Sequence, residues 1–185
     1  MKVSIITVSY NSADTIADTL ASVAAQTHSE VEHLVIDGAS EDQTAEIVRQ
    51  QGARVARFIC EPDCGMYEAM NKGIALATGA VVGILNADDV YAKPEVLSRV
   101  ASLFAAPEID ACYGDLVYVD RRQPSREVRY WRAGPYCRAA FGRGWYPPHP
   151  TFFVRRTAYE SFGGFDRSFP LAADVELMLR LLAAP

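Results

Sequence analysis

Short apolar segments rich in β-branched residues alternate with segments of helical periodicity over the first 106 residues, and this alternation leaves few folds open to the chain. Apolar strands of this kind need cover on both faces, and parallel neighbours need a crossover connection, which is usually a helix. The pattern therefore predicts an α/β fold in which helices flank a central, mostly parallel sheet. The predicted strands are residues 3–9, 31–37, 55–60 and 80–85. The predicted helices are residues 12–26, 40–51, 66–77 and 94–105.

Local signals mark the ends of these helices. Ser12 is expected to cap the first helix, and Ser40 with Gln43 fits a capping box at the start of the second. Gly79 is expected to close the third helix with a left-handed backbone, and Pro94 suits the first turn of the fourth. Each helix thus has a predicted boundary that depends on one or two side chains.

After Pro107 the pattern becomes less regular and rich in loops. Strands are predicted within 109–119 and at 128–131 and 151–154, and a helix at 175–182. Neither a flexible linker nor an internal repeat is visible. Residues 1–185 are therefore predicted to form a single domain, with a regular half at 1–106 and a smaller half at 107–185.

Charge is distributed unevenly along the chain. Lys and Arg number 18 against 23 Asp and Glu, which gives a net charge of -5. Residues 121–156 nevertheless hold nine Arg and one Glu, a local balance of +8, and the remainder carries -13. An acidic whole argues against a general nucleic-acid binder, and an apolar content of 50% argues against a disordered chain.

Targeting signals are absent from the sequence. The N-terminus lacks the long apolar stretch of a secretory signal, and no segment approaches the ~20 apolar residues that span a bilayer. The four cysteines do not show metal-ligand spacing, which favours reduced thiols over a zinc site. The sequence therefore predicts a cytoplasmic protein.

Polar residues follow several predicted strands, at the edge where parallel sheets bind ligands. Asp88 and Asp89 follow the fourth strand, and two adjacent carboxylates repel each other unless a cation compensates. Mg²⁺ and Mn²⁺ prefer oxygen ligands and share them with substrate phosphates. A solvated turn with a helix-capping aspartate is the alternative for this pair.

Two further strand-end residues suit a nucleotide. Tyr10 ends the first strand, where its ring can stack on a base, and Asp37 ends the second, where its carboxylate can accept a hydrogen bond from a base or ribose. Asp37 could equally open the turn at Gly38. The glycine patterns of dinucleotide-binding folds and of P-loops are both missing, which disfavours those two classes.

Six motifs in a consistent order resemble family 2 glycosyltransferases, and the likeness is greatest to small bacterial members that build O-antigen or exopolysaccharide repeat units. The motifs are residues 4–11, 35–40, 61–73, 85–89, 162–166 and 172–180. The resemblance implies a GT-A fold and an inverting transfer from a nucleoside-diphosphate sugar, by default a UDP-sugar. The acceptor it implies is a saccharide or lipid-linked saccharide of cell-surface polysaccharide synthesis. Residues 1–106 would then bind the donor and residues 107–185 the acceptor.

The resemblance also assigns donor-site residues. Tyr10 and Asp37 match the positions that hold the base and ribose. Asp88 and Asp89 match the DxD-type motif, which binds ribose and a divalent metal (Mn²⁺ or Mg²⁺), the metal chiefly on Asp89. Asn71 matches a polar contact to the donor. The first position of the DxD motif is Asn86 in this chain.

Asp174 matches the general base of the family, although the preceding position, commonly Glu, is Ala173. An acceptor hydroxyl is a poor nucleophile near neutral pH, so Asp174 would take its proton, and the metal would stabilise the departing diphosphate. Direct displacement with one base inverts the anomeric configuration. His149 is a candidate metal ligand, or a contact to phosphate or acceptor, or else a packed loop residue. The pair 163–164 is expected to form a turn that brings Phe165 and Asp166 near the acceptor side, and a purely structural turn is the alternative.

Two other functions compete with this interpretation. A nucleotide-sugar-binding subunit without catalysis would keep Asp37, Asp88 and Asp89 but would not need Asp174. A sugar-nucleotide pyrophosphorylase would need a glycine-rich loop after the first strand, which residues 10–12 do not supply.

The arginines and aromatic residues of 121–156 suit anionic lipid headgroups or the pyrophosphate of a lipid-linked acceptor. The segment therefore predicts a peripheral contact with an anionic membrane at its inner face. A solvated loop face is the alternative.

Overall fold

The computed structural model describes residues 1–183 and shows a central six-stranded sheet beside a two-stranded hairpin. The strands are β1 (Val3–Ser9), β2 (Val31–Asp37), β3 (Val55–Cys60), β4 (Val81–Ile84), β5 (Ala111–Cys112), β6 (Leu116–Asp120), β7 (Gln123–Trp131) and β8 (Phe153–Arg155). The sheet has the order β3-β2-β1-β4-β8-β5, and β6 pairs with β7 outside it. The first four strands run parallel, while β8 and β5 are antiparallel additions. The predicted mostly parallel α/β sheet is thus confirmed.

Helices cover both faces of the sheet. They are α1 (Ile16–Ala24), α2 (Thr44–Gln51), α3 (Met66–Leu76), α4 (Val96–Leu103), α5 (Arg138–Phe141), α6 (Arg156–Phe162) and α7 (Ala173–Ala183). Ile6 and Val8 of β1 pack with residues of α3, α6 and α7, whereas Ile5 packs with α1 and α4. All seven residues of β1 are buried, so neither face of this strand is in contact with solvent.

The predicted starts of the first two helices are wrong because the expected capping side chains have other partners. Helix α1 begins at Ile16, four residues after Ser12, whose hydroxyl donates to the Tyr10 carbonyl oxygen. Ser40 donates to Asp37 instead of capping α2, which begins at Thr44. The backbone at Gly79 is not left-handed. A Cβ there would lie 2.7 Å from the backbone nitrogen of Ser4, so the glycine permits a close approach of two chain segments.

The second half contributes more to the sheet than the sequence indicates. Strand β8 is inserted beside β4 and is flanked by β5, so residues of 107–185 complete the sheet of 1–106. Helix α6 follows β8 without a loop and was not predicted. The halves therefore share one core, and their functional division stays a proposal.

The basic segment is divided between structural and exposed arginines. The Arg155 guanidinium donates to the carbonyl oxygens of Phe104, Ala106 and Ile109, and Arg156 donates to the carbonyl oxygen of Gly79. These two arginines join the end of β8 to neighbouring loops through hydrogen bonds. Most of the other arginines lie on the β6–β7 hairpin and the loop after it. Within residues 1–183 no helix is both long and apolar enough to span a membrane.

Candidate active site

A cleft of about 1000 Å³ opens at the carboxyl ends of the parallel strands. Its lining residues follow β1, β2, β3 and β4, at the edge where parallel sheets bind ligands. They include Tyr10, Gly38, Asp63, Asp88 and Arg121. The volume is at the upper end of the range for small-molecule sites, about 300–1,000 Å³.

Tyr10 lies at the rim of the cleft, with 63% of its surface exposed. The turn that carries it is fixed, because the Asn11 backbone N–H donates to the Ser40 hydroxyl and the Asn11 side-chain oxygen accepts from the Glu41 N–H. Asn11 itself has a left-handed backbone, with φ of 48°. The ring of Tyr10 is therefore presented on a rigid turn and is free to stack on a ligand.

Asp37 is placed beneath the cleft rather than in its wall, and its surface is fully buried. One carboxylate oxygen accepts from the Ser9 and Ser40 hydroxyls, and the other accepts from the Ser40 N–H and the Cys60 thiol. Burial, together with the charge of Asp37, raises the pKa of the Cys60 thiol, which stays a donor. In this arrangement Asp37 fixes the loop after β2, and a direct contact with a nucleotide would require these bonds to break.

Asp63 is a cleft carboxylate that the sequence analysis did not single out. It lines the cleft beside Gly38, and one of its oxygens accepts from the Gly65 N–H at 2.9 Å. It lies in the 61–73 motif, so the motif itself carried the signal. Asp63 therefore offers the cleft a carboxylate, whereas Asp37 does not line it.

Asp88 and Asp89 occupy different environments. Asp88 is exposed in the cleft, whereas Asp89 is partly buried and accepts a hydrogen bond from the Asn86 amide at 3.0 Å. Burial and, second, the charge of Asp88 raise the pKa of Asp89. The buried Asn86 Oδ1 has no hydrogen-bond partner among the described residues. Two carboxylates that destabilise each other beside an unpartnered oxygen fit a hard divalent cation.

Within the described residues, protein side chains alone do not form a complete metal cage. No group of three or more His, Cys, Asp or Glu side chains within residues 1–183 is arranged to hold a metal ion. Mg²⁺ and related cations are commonly held by one or two carboxylates together with substrate phosphates. The site thus fits a cation whose remaining ligands come from the phosphates of a bound substrate.

Arg121 brings a cation to the same cleft from the turn between β6 and β7. Its guanidinium forms an exposed ion pair with Asp14 at 2.8 Å, so the hairpin reaches across to the loop before α1. The sequence analysis counted Arg121 within the basic segment but did not assign it to the cleft at the strand ends. Only the tertiary fold places it there.

Asp174 lies in the first turn of α7 and is partly buried. The Tyr67 hydroxyl donates to Asp174 Oδ1 at 3.0 Å. A helix N-terminus stabilises a carboxylate. His149 is close enough for the charge of Asp174 to oppose the effect of burial, which lowers the pKa of His149. The His149 ring packs edge-on against Phe165 at 5.5 Å, which places it near Asp174 rather than beside Asp88.

Asn71 joins α3 to the turn after α6. Its side-chain nitrogen donates to the Phe165 carbonyl oxygen at 2.9 Å, and its oxygen accepts from the Phe165 N–H at 2.8 Å. Gly163 makes the turn with φ of 83°, and Gly164 lies against the Asn71 amide. Each polar atom of Asn71 thus makes one hydrogen bond to the backbone of Phe165 and holds this turn, and a contact of Asn71 with a ligand stays a prediction.

The predicted residues fall into two groups. Tyr10 and Asp88 lie in or at the cleft with Asp89 next to them in sequence, while His149 and Asp174 are not among the cleft residues and lie near Tyr67 and Phe165. Met66 and Ala69 of α3 line the cleft, and Tyr67 of the same helix reaches Asp174. The same helix therefore lines the cleft and contacts Asp174.

The amino-acid sequence matches a known protein family. The family described as "Glycosyl transferase family 2" matches residues 4–169. The chain belongs to glycosyl transferase family 2. It is 34% identical over 186 residues to an uncharacterized glycosyltransferase of Mycobacterium tuberculosis, covering 96% of this chain and 68% of that protein. It is 31% identical over 185 residues to a PGL/p-HBAD biosynthesis glycosyltransferase of Mycobacterium bovis, covering 98% and 70%.

Solved structures show that this glycosyltransferase has the GT-A fold. Residues 1–349 of TarS from S. aureus superpose with a TM-score of 0.78 at 23% identity, covering 98% of this chain and 55% of that chain. The mannosyltransferase PcManGT from Pyrobaculum calidifontis, in complex with GDP-Man and Mn²⁺, gives a TM-score of 0.69 at 24% identity, covering 89% and 47%. The chain therefore spans about half the length of these structures. A complex of TarS 1–349 with UDP-GlcNAc is similarly close, with a TM-score of 0.78.

Proposed function

We propose that this glycosyltransferase transfers a sugar from a nucleoside-diphosphate sugar, by preference a UDP-sugar, to a hydroxyl of a saccharide or lipid-linked saccharide, with inversion. The observation that carries the proposal is that α3 both lines a cleft containing Asp88, with Asp89 next to it in sequence, and hydrogen-bonds the carboxylate of Asp174 through Tyr67. The ligands of the solved relatives, UDP-GlcNAc in TarS and GDP-Man with Mn²⁺ in PcManGT, support a nucleotide-sugar donor.

On the donor side, the exposed ring of Tyr10 stacks on the base, and Asp63 and Asp88 accept hydrogen bonds from the base or ribose. Asp89, with Asp88 and Asn86 Oδ1, would hold Mn²⁺ or Mg²⁺ against the diphosphate. A divalent cation bound there supplies charge stabilisation to the departing nucleoside diphosphate. Asp37 and Asn71, which the family resemblance places at the donor, act in this proposal through the loops that they fix.

On the acceptor side, Asp174 accepts the proton of the attacking hydroxyl. One carboxylate as base, with no second protein carboxylate acting as nucleophile, leads to direct displacement and inversion at the anomeric carbon. Residues 1–106 supply most of the donor site, and residues 107–185 supply the base. The hairpin and loop of 121–156 provide a basic surface for an anionic, lipid-linked acceptor and for peripheral contact with the inner face of an anionic membrane.

The donor is identified first, by a thermal-shift panel of UDP-, GDP- and dTDP-sugars with Mn²⁺ or with EDTA. Ligand binding to the folded state raises the apparent stability by mass action, so the preferred donor gives the largest shift. Calorimetry and a transfer assay then compare Asp174→Asn and Asp89→Asn. We expect Asp174→Asn to bind the donor normally but to lose transfer by about 10²- to 10⁴-fold, and Asp89→Asn to lose metal-dependent donor binding.

A matched control is Glu108→Gln, an exposed carboxylate in the loop after α4, which should leave binding and transfer unchanged. Full turnover by Asp174→Asn would contradict the assignment of the base. A wild-type chain that binds donors but releases no nucleoside diphosphate in the presence of acceptors would instead indicate a binding subunit.

A further inference from the structure

Tyr67 makes a hydrogen bond to Asp174, the proposed general base, and the proposed function gave this bond no role. It lies in the first turn of α3, is 8% exposed, and donates its hydroxyl to Asp174 Oδ1 at 3.0 Å across 107 residues of sequence. Among the described residues, Tyr67 is the one whose side chain donates a hydrogen bond to the Asp174 carboxylate. Burial and, second, the charge of Asp174 raise the pKa of Tyr67, so the phenol stays protonated and can only donate to the carboxylate.

The ring of Tyr67 is held in place by a second contact, with Phe165 in the turn after α6. It stacks on Phe165 with centroids 5.4 Å apart and an interplanar angle of 24°. The backbone of Phe165 is fixed by Asn71, one helical turn after Tyr67 on the same face of α3. One helix therefore supplies both the hydroxyl that meets the base and the amide that holds the platform under the ring.

We propose that Tyr67 is a positioning residue: it ties down Asp174 Oδ1, which leaves Oδ2 as the oxygen that takes the acceptor proton. The inference rests on the proposed function. In the reaction, the acceptor O–H bond breaks and its proton moves to Asp174 Oδ2. The acceptor oxygen forms the new bond to the anomeric carbon, and the bonding pair to the diphosphate oxygen leaves with the nucleoside diphosphate. Tyr67 keeps its own proton throughout.

Tyr67→Phe tests the role because it keeps the ring on Phe165 and removes only the hydroxyl. A misplaced base costs rate through geometry rather than through substrate binding. We therefore expect kcat to fall by about 10- to 100-fold, while the donor KM and the calorimetric Kd stay within about twofold of the wild type. In the Asp174→Asn background, Tyr67→Phe should cause no further loss, since residues that act as a unit are not additive.

The matched control is Tyr113→Phe, which removes a hydroxyl donated at 3.1 Å to the Gly134 carbonyl oxygen, away from Asp174. It should leave kcat unchanged. Wild-type kcat in Tyr67→Phe, or a full further loss in the Asp174→Asn background, would overturn the role. A loss of kcat accompanied by an equal loss of donor affinity and a lower melting temperature would also overturn it, because it would show a structural effect. Failure of the proposed function is recognised separately, by the absence of transfer in the wild type.

Discussion

At the scale of single residues, the parallel strands bury polar side chains in pairs. The Thr7 hydroxyl of β1 lies 3.0 Å from His33 Nε2 of β2, and His33 is only 1% exposed. Asp37, at the end of the same strand, has four protein donors. Pairing of this kind limits the cost of burying polar groups.

The His33 pair should make the stability of the protein depend on pH. Burial lowers the pKa of His33 to about 4 from an ordinary value of 6.5. Between those values the unfolded chain binds more protons, so the stabilisation is complete above about pH 6.5 and is lost as the pH falls towards 4. We expect the free energy of unfolding to fall by up to about 3 kcal/mol from this residue over that range.

Urea denaturation of the wild type and of His33→Gln at several pH values between 7 and 4 measures this effect. Gln keeps a partner for Thr7 but does not titrate, so the variant should lose less stability on acidification. The control His28→Gln removes a histidine nearer the surface. Equal pH slopes for wild type and His33→Gln would contradict the prediction.

At the scale of elements, the contact between α3 and the turn after α6 positions Phe165, against which Tyr67 and His149 pack near Asp174. A Cβ on Gly164 would lie 2.3 Å from Asn71 Oδ1. That oxygen cannot move away freely, because it accepts the Phe165 N–H. The contact therefore tolerates glycine and little else.

Gly164→Ala should accordingly destabilise the protein by about 1–3 kcal/mol, as overpacking does, and should lower kcat because the Phe165 platform shifts. Denaturation and the transfer assay measure the two effects. The matched control is Gly114→Ala, where a Cβ meets no atom within 4 Å and the backbone is not left-handed. It should be neutral or slightly stabilising. A Gly164→Ala variant as stable and as active as Gly114→Ala would contradict this account.

The element boundaries also show why local signals failed at the same places. Ser12 and Ser40 have the residue types of helix caps, but Ser12 donates to Tyr10 and Ser40 to Asp37. At the start of α2 the Thr44 N–H donates to Asp42 Oδ1 instead. A hydroxyl near a helix start has several competing acceptors, and the sequence does not rank them.

At the scale of the whole molecule, positive charge is concentrated in residues 121–156. The β6–β7 hairpin carries exposed apolar side chains, among them Val119, Val128 and Tyr130, next to its arginines. Arg129 lies over the rings of Tyr118 and Trp131, at 5.5 and 5.7 Å from their centroids. An exposed hairpin with interfacial aromatics and arginines fits an anionic membrane surface.

Substitution of Arg122 and Arg132 by Gln tests this surface, because both are exposed and neither forms an ion pair within the described part of the chain. Each basic residue near an anionic membrane contributes about 1 kcal/mol, so the double variant should bind anionic vesicles about 30-fold more weakly in co-sedimentation. The double control Arg57→Gln with Arg99→Gln removes two exposed arginines elsewhere. Equal binding of the wild type to neutral and anionic vesicles would count against the membrane contact.

The sequence by itself determined the sheet and the edge at which the site lies. Periodicity and β-branched runs are local properties, and they predicted the four parallel strands to within two residues. Because the carboxyl ends of parallel strands meet at one edge, Tyr10 and Asp88 were expected at a common cleft, and the structure places them there. The motifs predicted the glycosyltransferase family, which the family match confirms.

Only the tertiary structure decided which polar groups are free to meet a ligand. Asp37 has the position of a nucleotide contact, but four donors surround it, whereas Asp63 and Arg121 reach the cleft. Tyr67 and Asp174 are 107 residues apart, and their hydrogen bond exists because two helices pack on one face of the sheet. Such contacts depend on packing across the whole fold, and no local pattern of residues encodes them.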